Sequence, residues 1–295
     1  MLWSIKGYYL NNRIVRYIIC VSIALLLSLI IFGCFRFPWL VLYYIIIIKF
    51  NLIHLADFIP LATTVWQVVV TSLCIVFISP IILILSISKT ITKNAHIYAI
   101  FITGILIIMY VVLPPFLILL PIEEEIKAFT ISLKREISNP IELIKAVTEY
   151  VSRRIEYPCG HYKILELTDG LSYIDRCLLK ILGFDDAHLI LFQKYGSCGE
   201  YAHLTSYLLY RLCYEVRIAH FKDIDHGWCE VKLNNTWYIV DPWYIGHHAE
   251  SRLAPYLVPA RELSRISLFS SSKGVEAIYP NGTQVDASLE HGYKL

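Results

Sequence analysis

The 295-residue chain carries 26 Lys and Arg against 24 Asp and Glu, and it is 57% hydrophobic and only 17% charged. That is too apolar for a wholly cytosolic globule of this size, and the near-neutral total argues against a nucleic-acid partner. The charge is also unevenly placed: residues 1–121 hold 7 of the basic and 1 of the acidic residues, so a net +6 half precedes a net −4 half.

In the first half, residues 17–35 run without a charge, long enough to cross a hydrocarbon core of about 30 Å as a helix. Lys6, Arg13 and Arg16 precede this run as they would in a signal peptide, but no small-x-small cleavage site follows. Residues 63–88 and 95–121 are two more uncharged runs, separated by a loop with Lys89 and Lys93. The apolar stretch 37–48 is too short for a comfortable crossing and reads as interfacial or re-entrant. An all-α transmembrane region of about three helices is therefore expected in residues 1–121, with lipid as its partner. With three spans, the N-terminal cations share a side with Lys89 and Lys93, which places the C-terminal half outside the cytoplasm. None of the three spans contains Asp, Glu, Lys or Arg, which favours an anchor over a transporter.

Residues 122–139, opening with Glu123-Glu124-Glu125, read as a charged linker to a domain over 140–295. Asn139 as N-cap and Pro140 at the first helical position start a helix over about 140–156, with Ile141, Ile144, Val147, Val151 and Ile155 at helical spacing. Short helices are expected near 178–182 and 185–192. Tyr195-Gly196-Ser197-Cys198-Gly199-Glu200-Tyr201-Ala202 leads into a helix reaching about Cys213, so Cys198 lies at a helix N-terminus, where the macrodipole favours a thiolate. Glu200 is a first-turn acid suited to the same dipole.

Strands are expected over 216–221, 227–233 and 236–241, the last two joined by Asn234-Asn235 as a two-residue turn. In that hairpin Leu233 opposes Thr236 and Asp241 opposes Trp228. Side chains alternate along a strand and opposed residues share a face, so His226 and Asp241 fall on one face as diagonal neighbours, about 7–8 Å apart. A one-residue slip would separate them.

Gly196-Ser197-Cys198-Gly199-Glu200-Tyr201-Ala202, Asp225-His226-Gly227-Trp228-Cys229-Glu230-Val231 and Trp237-Tyr238-Ile239-Val240-Asp241-Pro242, in this order and spacing, resemble the core of the transglutaminase-like superfamily. Within it, the Cys-Gly-Glu-aromatic-Ala and Asp-His-x-Trp-x-Glu-Val runs are similar to the peptide:N-glycanase family. The resemblance covers about residues 140–245. It implies an α+β, papain-like cysteine hydrolase or transferase domain, its nucleophile at a helix N-terminus packed on an antiparallel sheet. Cys198 would be the nucleophile, His226 the general base and then acid, and Asp241 the residue that orients the imidazole. Trp228 would wall the imidazole, and the Cys198 backbone N–H would be an oxyanion donor, with Gln193 a candidate for the side-chain donor.

Tyr201 stands where the glycanases usually have Trp, and no zinc-binding Cys pairs precede it, which turns the expectation toward a protease or other amidase acting on peptides or glycoproteins outside the cytoplasm. Deglycosylation, glutamine acyl transfer and a catalytically silent binding domain are the alternatives. No cofactor is expected, since no phosphate loop or dinucleotide fingerprint is present. No metal is expected either: Cys213, His220, His226, Cys229 and the His247-His248 pair do not follow a usual zinc-ligand spacing. Cys159, Cys177, Cys213 and Cys229 are enough for two disulfides beside the nucleophile, which would suit an oxidising compartment.

Overall fold

A computed structural model describes residues 112–157, 173–243, 257–266 and 269–294. The expected spans 17–35 and 63–88, the stretch 37–48, most of 95–121, Cys159 and His247-His248 lie outside these residues. The chain divides into two compact units, residues 1–117 with 170–182, and residues 118–169 with 183–295. Helix α3 (Tyr173–Ile181) belongs to the first.

Helix α1 (Leu113–Glu136) runs across the position expected to end the first half. The helix passes through Pro121, whose missing N–H and ring leave one carbonyl of the preceding turn without its helical partner. The residues expected to form a linker are helical as far as Glu136. The expectation of an integral membrane protein with an extracytoplasmic domain is corrected: among the described residues no helix is long and apolar enough to cross a membrane. The physical reason is visible in α1. Its 24 residues include Glu123, Glu124, Glu125 and Lys127, and its apolar residues Leu119, Ile126 and Leu133, seven apart on one stripe, are buried within the protein. Glu123 is used there too, accepting from Arg211 Nη2 at 3.0 Å and from His188 Nε2 at 3.0 Å. Although burial opposes its charge, these bonds hold the Glu123 carboxyl below the usual carboxylate range.

Helix α2 (Pro140–Arg154) begins as its sequence implies, with Asn139 Oδ1 accepting from the Ile141 N–H at 2.9 Å. A cap of this kind is worth about 1 kcal/mol. Its stripe Ile144, Val147 and Val151 is fully buried, whereas Ile141 at its start is exposed. Helix α4 (Asp186–Gln193) is capped by Asp185, and α5 (Cys198–Arg211) follows after a four-residue loop.

Strands β1 (Val216–Phe221), β2 (Gly227–Leu233), β3 (Thr236–Val240), β4 (Val258–Pro259), β5 (Val275–Ile278) and β6 (Gln284–Asp286) form one antiparallel sheet in the order β4-β3-β2-β1-β5-β6. The β2–β3 hairpin has the expected register, with Leu233 opposite Thr236 and Cys229 opposite Val240. Its turn residues Asn234 and Asn235 both have positive φ, 48° and 61°, as a type I′ turn requires. One sheet face packs on α5, α2 and α4 through Val216, Cys229, Val231 and Val240. The other buries Ala219, Phe221, Trp228, Ile239 and Val275 beneath the C-terminal segment, which supplies Leu263, Phe269, Ala287 and Tyr293. The result is an α+β domain with helices on one face of an antiparallel sheet, which fits the expected fold class.

Candidate active site

The site is assembled where α5 starts, β2 starts and β3 ends. The loop before α5 is tied to the end of α2 by two backbone bonds, Glu156 N–H to the Lys194 carbonyl (2.9 Å) and Gly196 N–H to the Glu156 carbonyl (3.2 Å). Tyr201, on the first turns of α5, adds a hydroxyl bond to the Ile155 carbonyl. Gly196 has to be glycine: a β-carbon there would lie 2.5 Å from the Glu200 β-carbon and displace the first turn of α5. Glu200 closes that turn by accepting from the Ser197 N–H and the Ser197 hydroxyl, each at 2.7 Å. This agrees with its expected role as a first-turn acid. Cys198 is the first residue of α5 and is partly exposed. Its backbone N–H is among the helix-end donors that have no carbonyl acceptor within the helix.

His226 sits one residue before β2. Its N–H donates to the Ile224 carbonyl at 2.8 Å and its carbonyl accepts from Phe221 N–H at 3.2 Å, which fixes the backbone from both sides. The ring Nε2 meets Asp241 Oδ2 at 2.7 Å; the imidazole side chain is 9% exposed and the carboxylate 2%. With Nε2 donating to the carboxylate, Nδ1 is the ring nitrogen left for exchange with another group. Among the described residues, aromatic rings stand around the imidazole at Trp228 (6.0 Å), Trp243 (5.3 Å) and Phe269 (6.3 Å), the last parallel to it within 4°.

Burial alone would favour neutral His226, but hydrogen bonds to Asp241 and to Cys198, followed by the charges of the same two groups, raise its pKa to about 9. The ring is therefore held as imidazolium below about pH 9. The thiol, the imidazole and the carboxylate, drawn from three separate stretches of sequence, thus meet in one place.

The other expectations fare differently. Trp228 does flank the imidazole. Gln193 is 1% exposed, and its amide Nε2 donates to the Tyr195 carbonyl, so it braces the loop ahead of Cys198. Cys177, Cys198, Cys213 and Cys229 are all unpaired thiols, so the two disulfides imagined for this half are not formed. Cys229 is fully buried on the helix-facing side and its thiol is pushed well up, by burial first and then by Glu230 and Asp241. Cys213 is exposed, in a left-handed turn at φ 71°. Among the described residues no group of three or more His, Cys, Asp and Glu side chains could hold a metal ion.

Sequence reasoning missed Trp243 and Phe269, and it missed the fully buried Glu230, which lies two residues from Trp228 on the same strand face. The signal for Glu230 was available: an acid at an inward position of an alternating strand demands partners. Here they are Arg217 Nε at 2.7 Å, Trp228 Nε1 at 2.9 Å and His291 Nε2 at 2.5 Å.

Residues 124–253 match a family model described as a transglutaminase-like domain. A 65-residue segment is 37% identical to a Drosophila melanogaster protein named peptide-N(4)-(N-acetyl-beta-glucosaminyl)asparagine amidase, an alignment that takes in 21% of this chain and 10% of that protein. Both matches support the transglutaminase-like superfamily, a superfamily of cysteine hydrolases and transferases, for this part of the chain.

Proposed function

We propose that the C-terminal half is a cysteine amidase in which Cys198, His226 and Asp241 act as nucleophile, proton carrier and orienting carboxylate. The observation that carries this reading is the His226 ring, bonded through Nε2 to Asp241 and sharing a hydrogen bond with the thiol of a residue that opens a helix. With the proton already on His226 Nδ1, Cys198 Sγ attacks the amide carbonyl carbon as the thiolate partner of the imidazolium. The C–N bond breaks, His226 returns the proton to the departing nitrogen, and a thioester remains on Cys198. Water, deprotonated by His226, then cleaves the thioester to give a carboxylic acid and the free thiol. Asp241 keeps Nε2 protonated and Nδ1 turned to the reacting atoms throughout. The Cys198 N–H, at the positive end of α5, supports the negative oxygen of the tetrahedral intermediate. Trp228, Trp243 and Phe269 pack around the imidazole, and the near-complete burial of His226 and Asp241 keeps bulk water from the bond between them, which strengthens it.

The substrate class is a peptide or glycopeptide. A second reading within it, cleavage of the glycosylated side-chain amide of Asn, is favoured by the named activity of the Drosophila relative. Incubating the full chain with peptides and N-glycopeptides in 18O-water separates these readings. Hydrolysis puts one heavy oxygen into the new carboxyl group, at a cleaved peptide bond for a protease and at a new Asp for a deglycosylating amidase. Products joined to an added amine and lacking the heavy oxygen would overturn hydrolysis in favour of transfer, and no product from any amide would overturn the enzyme reading.

A further inference from the structure

The second core of the domain, on the sheet face away from α5, is largely apolar, yet beside Trp228 it holds a buried ionic cluster. Glu230 and Arg217 oppose each other on β2 and β1 with both side chains 0% exposed, and His291 reaches them from the short 3-10 turn Leu289–His291 near the end of the chain. An ionised carboxylate buried this deeply costs several kcal/mol that an apolar residue in its place would not. Burial opposes its charge, but the His291 bond, the charges of His291 and Arg217 and the Trp228 bond hold Glu230 below the usual carboxylate range. His291 donates Nδ1–H to the Ala287 carbonyl at 2.8 Å, which fixes Nε2 toward Glu230 Oε1. The same oxygen accepts the indole N–H of Trp228. Trp228 stands between the two histidines, its ring 6.0 Å from His226 on one side and 6.0 Å from His291 on the other. An indole packed only by apolar neighbours could rotate among several orientations. One whose N–H is pinned to a saturated carboxylate has a single orientation.

We propose that Glu230, held by Arg217 and His291, is a positioning residue for the catalytic imidazole: it pins the Trp228 indole, and the pinned indole sets the plane of His226 against Cys198. The inference rests on the reading of Cys198 and His226 as the reacting pair. It makes the Leu289–His291 turn a working part of a site whose thiol, imidazole and carboxylate come from the start of α5, the approach to β2 and the end of β3. A displaced imidazole plane weakens the bond to the thiol, and reactions dependent on such geometry fall by on the order of tenfold or more for small misplacements.

The test is the pH dependence of iodoacetamide alkylation at Cys198 in the full chain, mapped by mass spectrometry. Trp228→Phe keeps a flat ring but removes the N–H, and His291→Ala removes the donor on the far side of Glu230. Both are expected to slow labelling at about pH 6 by on the order of tenfold, while His291→Gln, which can still donate to Glu230, returns it to near the unsubstituted rate. Leu263→Ala is the control: Leu263 lies in the same core, 1% exposed, and has no bond to Glu230. It is expected to lower the unfolding temperature without changing the labelling profile. The proposal is overturned if folded Trp228→Phe and His291→Ala keep the unsubstituted profile, or if Leu263→Ala shifts it as far as they do. If the unsubstituted protein itself shows no His226-dependent labelling, the reading beneath the proposal fails and the proposal falls with it.

Discussion

Cys198→Ala is expected to lower amide hydrolysis by at least ~10³-fold while leaving the unfolding temperature within a few degrees of the unsubstituted protein. The size of the effect follows from the division of labour. The oxyanion donor and the substrate-binding surfaces survive the substitution, but no thioester can form, and His226 and Asp241 have only water to activate. The small effect on stability follows from position: Cys198 is a partly exposed first residue of α5, whose cap geometry rests on Ser197 and Glu200. Turnover measured with the peptide or glycopeptide found to react, beside a thermal melt, checks both halves. Retention of more than about a tenth of the rate by a folded Cys198→Ala protein would remove the nucleophile assignment.

Glu230→Ala is expected to destabilise the domain by about 3–5 kcal/mol at neutral pH, because it strips the buried His291 of its carboxylate and leaves the buried Arg217 to pair with the half-exposed Glu290. The pH dependence has a definite sign. Glu230 is held below the usual carboxylate range, so the stability its ionised form contributes is present above that range and is lost as pH falls through its lower folded value. His226 works in the opposite direction. Its folded pKa of about 9 lies above the ordinary histidine value, so its contribution is complete below about pH 6.5 and is lost as pH rises toward 9. Urea denaturation of the unsubstituted protein and of Glu230→Ala at neutral and at acid pH reads the first effect directly. The gap between the two proteins should narrow in acid, and a gap that does not change with pH would mean that Glu230 is not charged in the fold.

The sequence reveals local features and their direct consequences. Asn139-Pro140 announces the start of α2, and the alternation of β2 with the Asn234-Asn235 turn sets a register that needs no tertiary information. That register alone brings Asp241 to the face of His226, and the structure has the pair at 2.7 Å. Where two elements are distant in sequence, legibility ends. Glu230 could be recognised as an inward-facing acid, but its partner His291 lies 61 residues away in a turn with no pattern of its own. Phe269 reaches His226 from the same C-terminal segment. The α1 helix failed to be read for a different reason. Pro121 and three successive glutamates look like the end of an apolar span, and only tertiary partners such as Arg211 and His188 make Glu123 part of a packed helix.

The measurement that bears most directly on the reacting pair is the rate of Cys198 alkylation by iodoacetamide from about pH 5 to pH 10, in the full chain and in His226→Ala. An imidazolium that persists to about pH 9 beside the thiol predicts labelling of Cys198 at pH 6–8 about tenfold faster or more in the unsubstituted protein than in His226→Ala, with the difference fading as His226 loses its proton above pH 9. Equal rates in the two proteins at every pH, with the exposed Cys213 labelled as readily as Cys198, would contradict a thiol activated by His226.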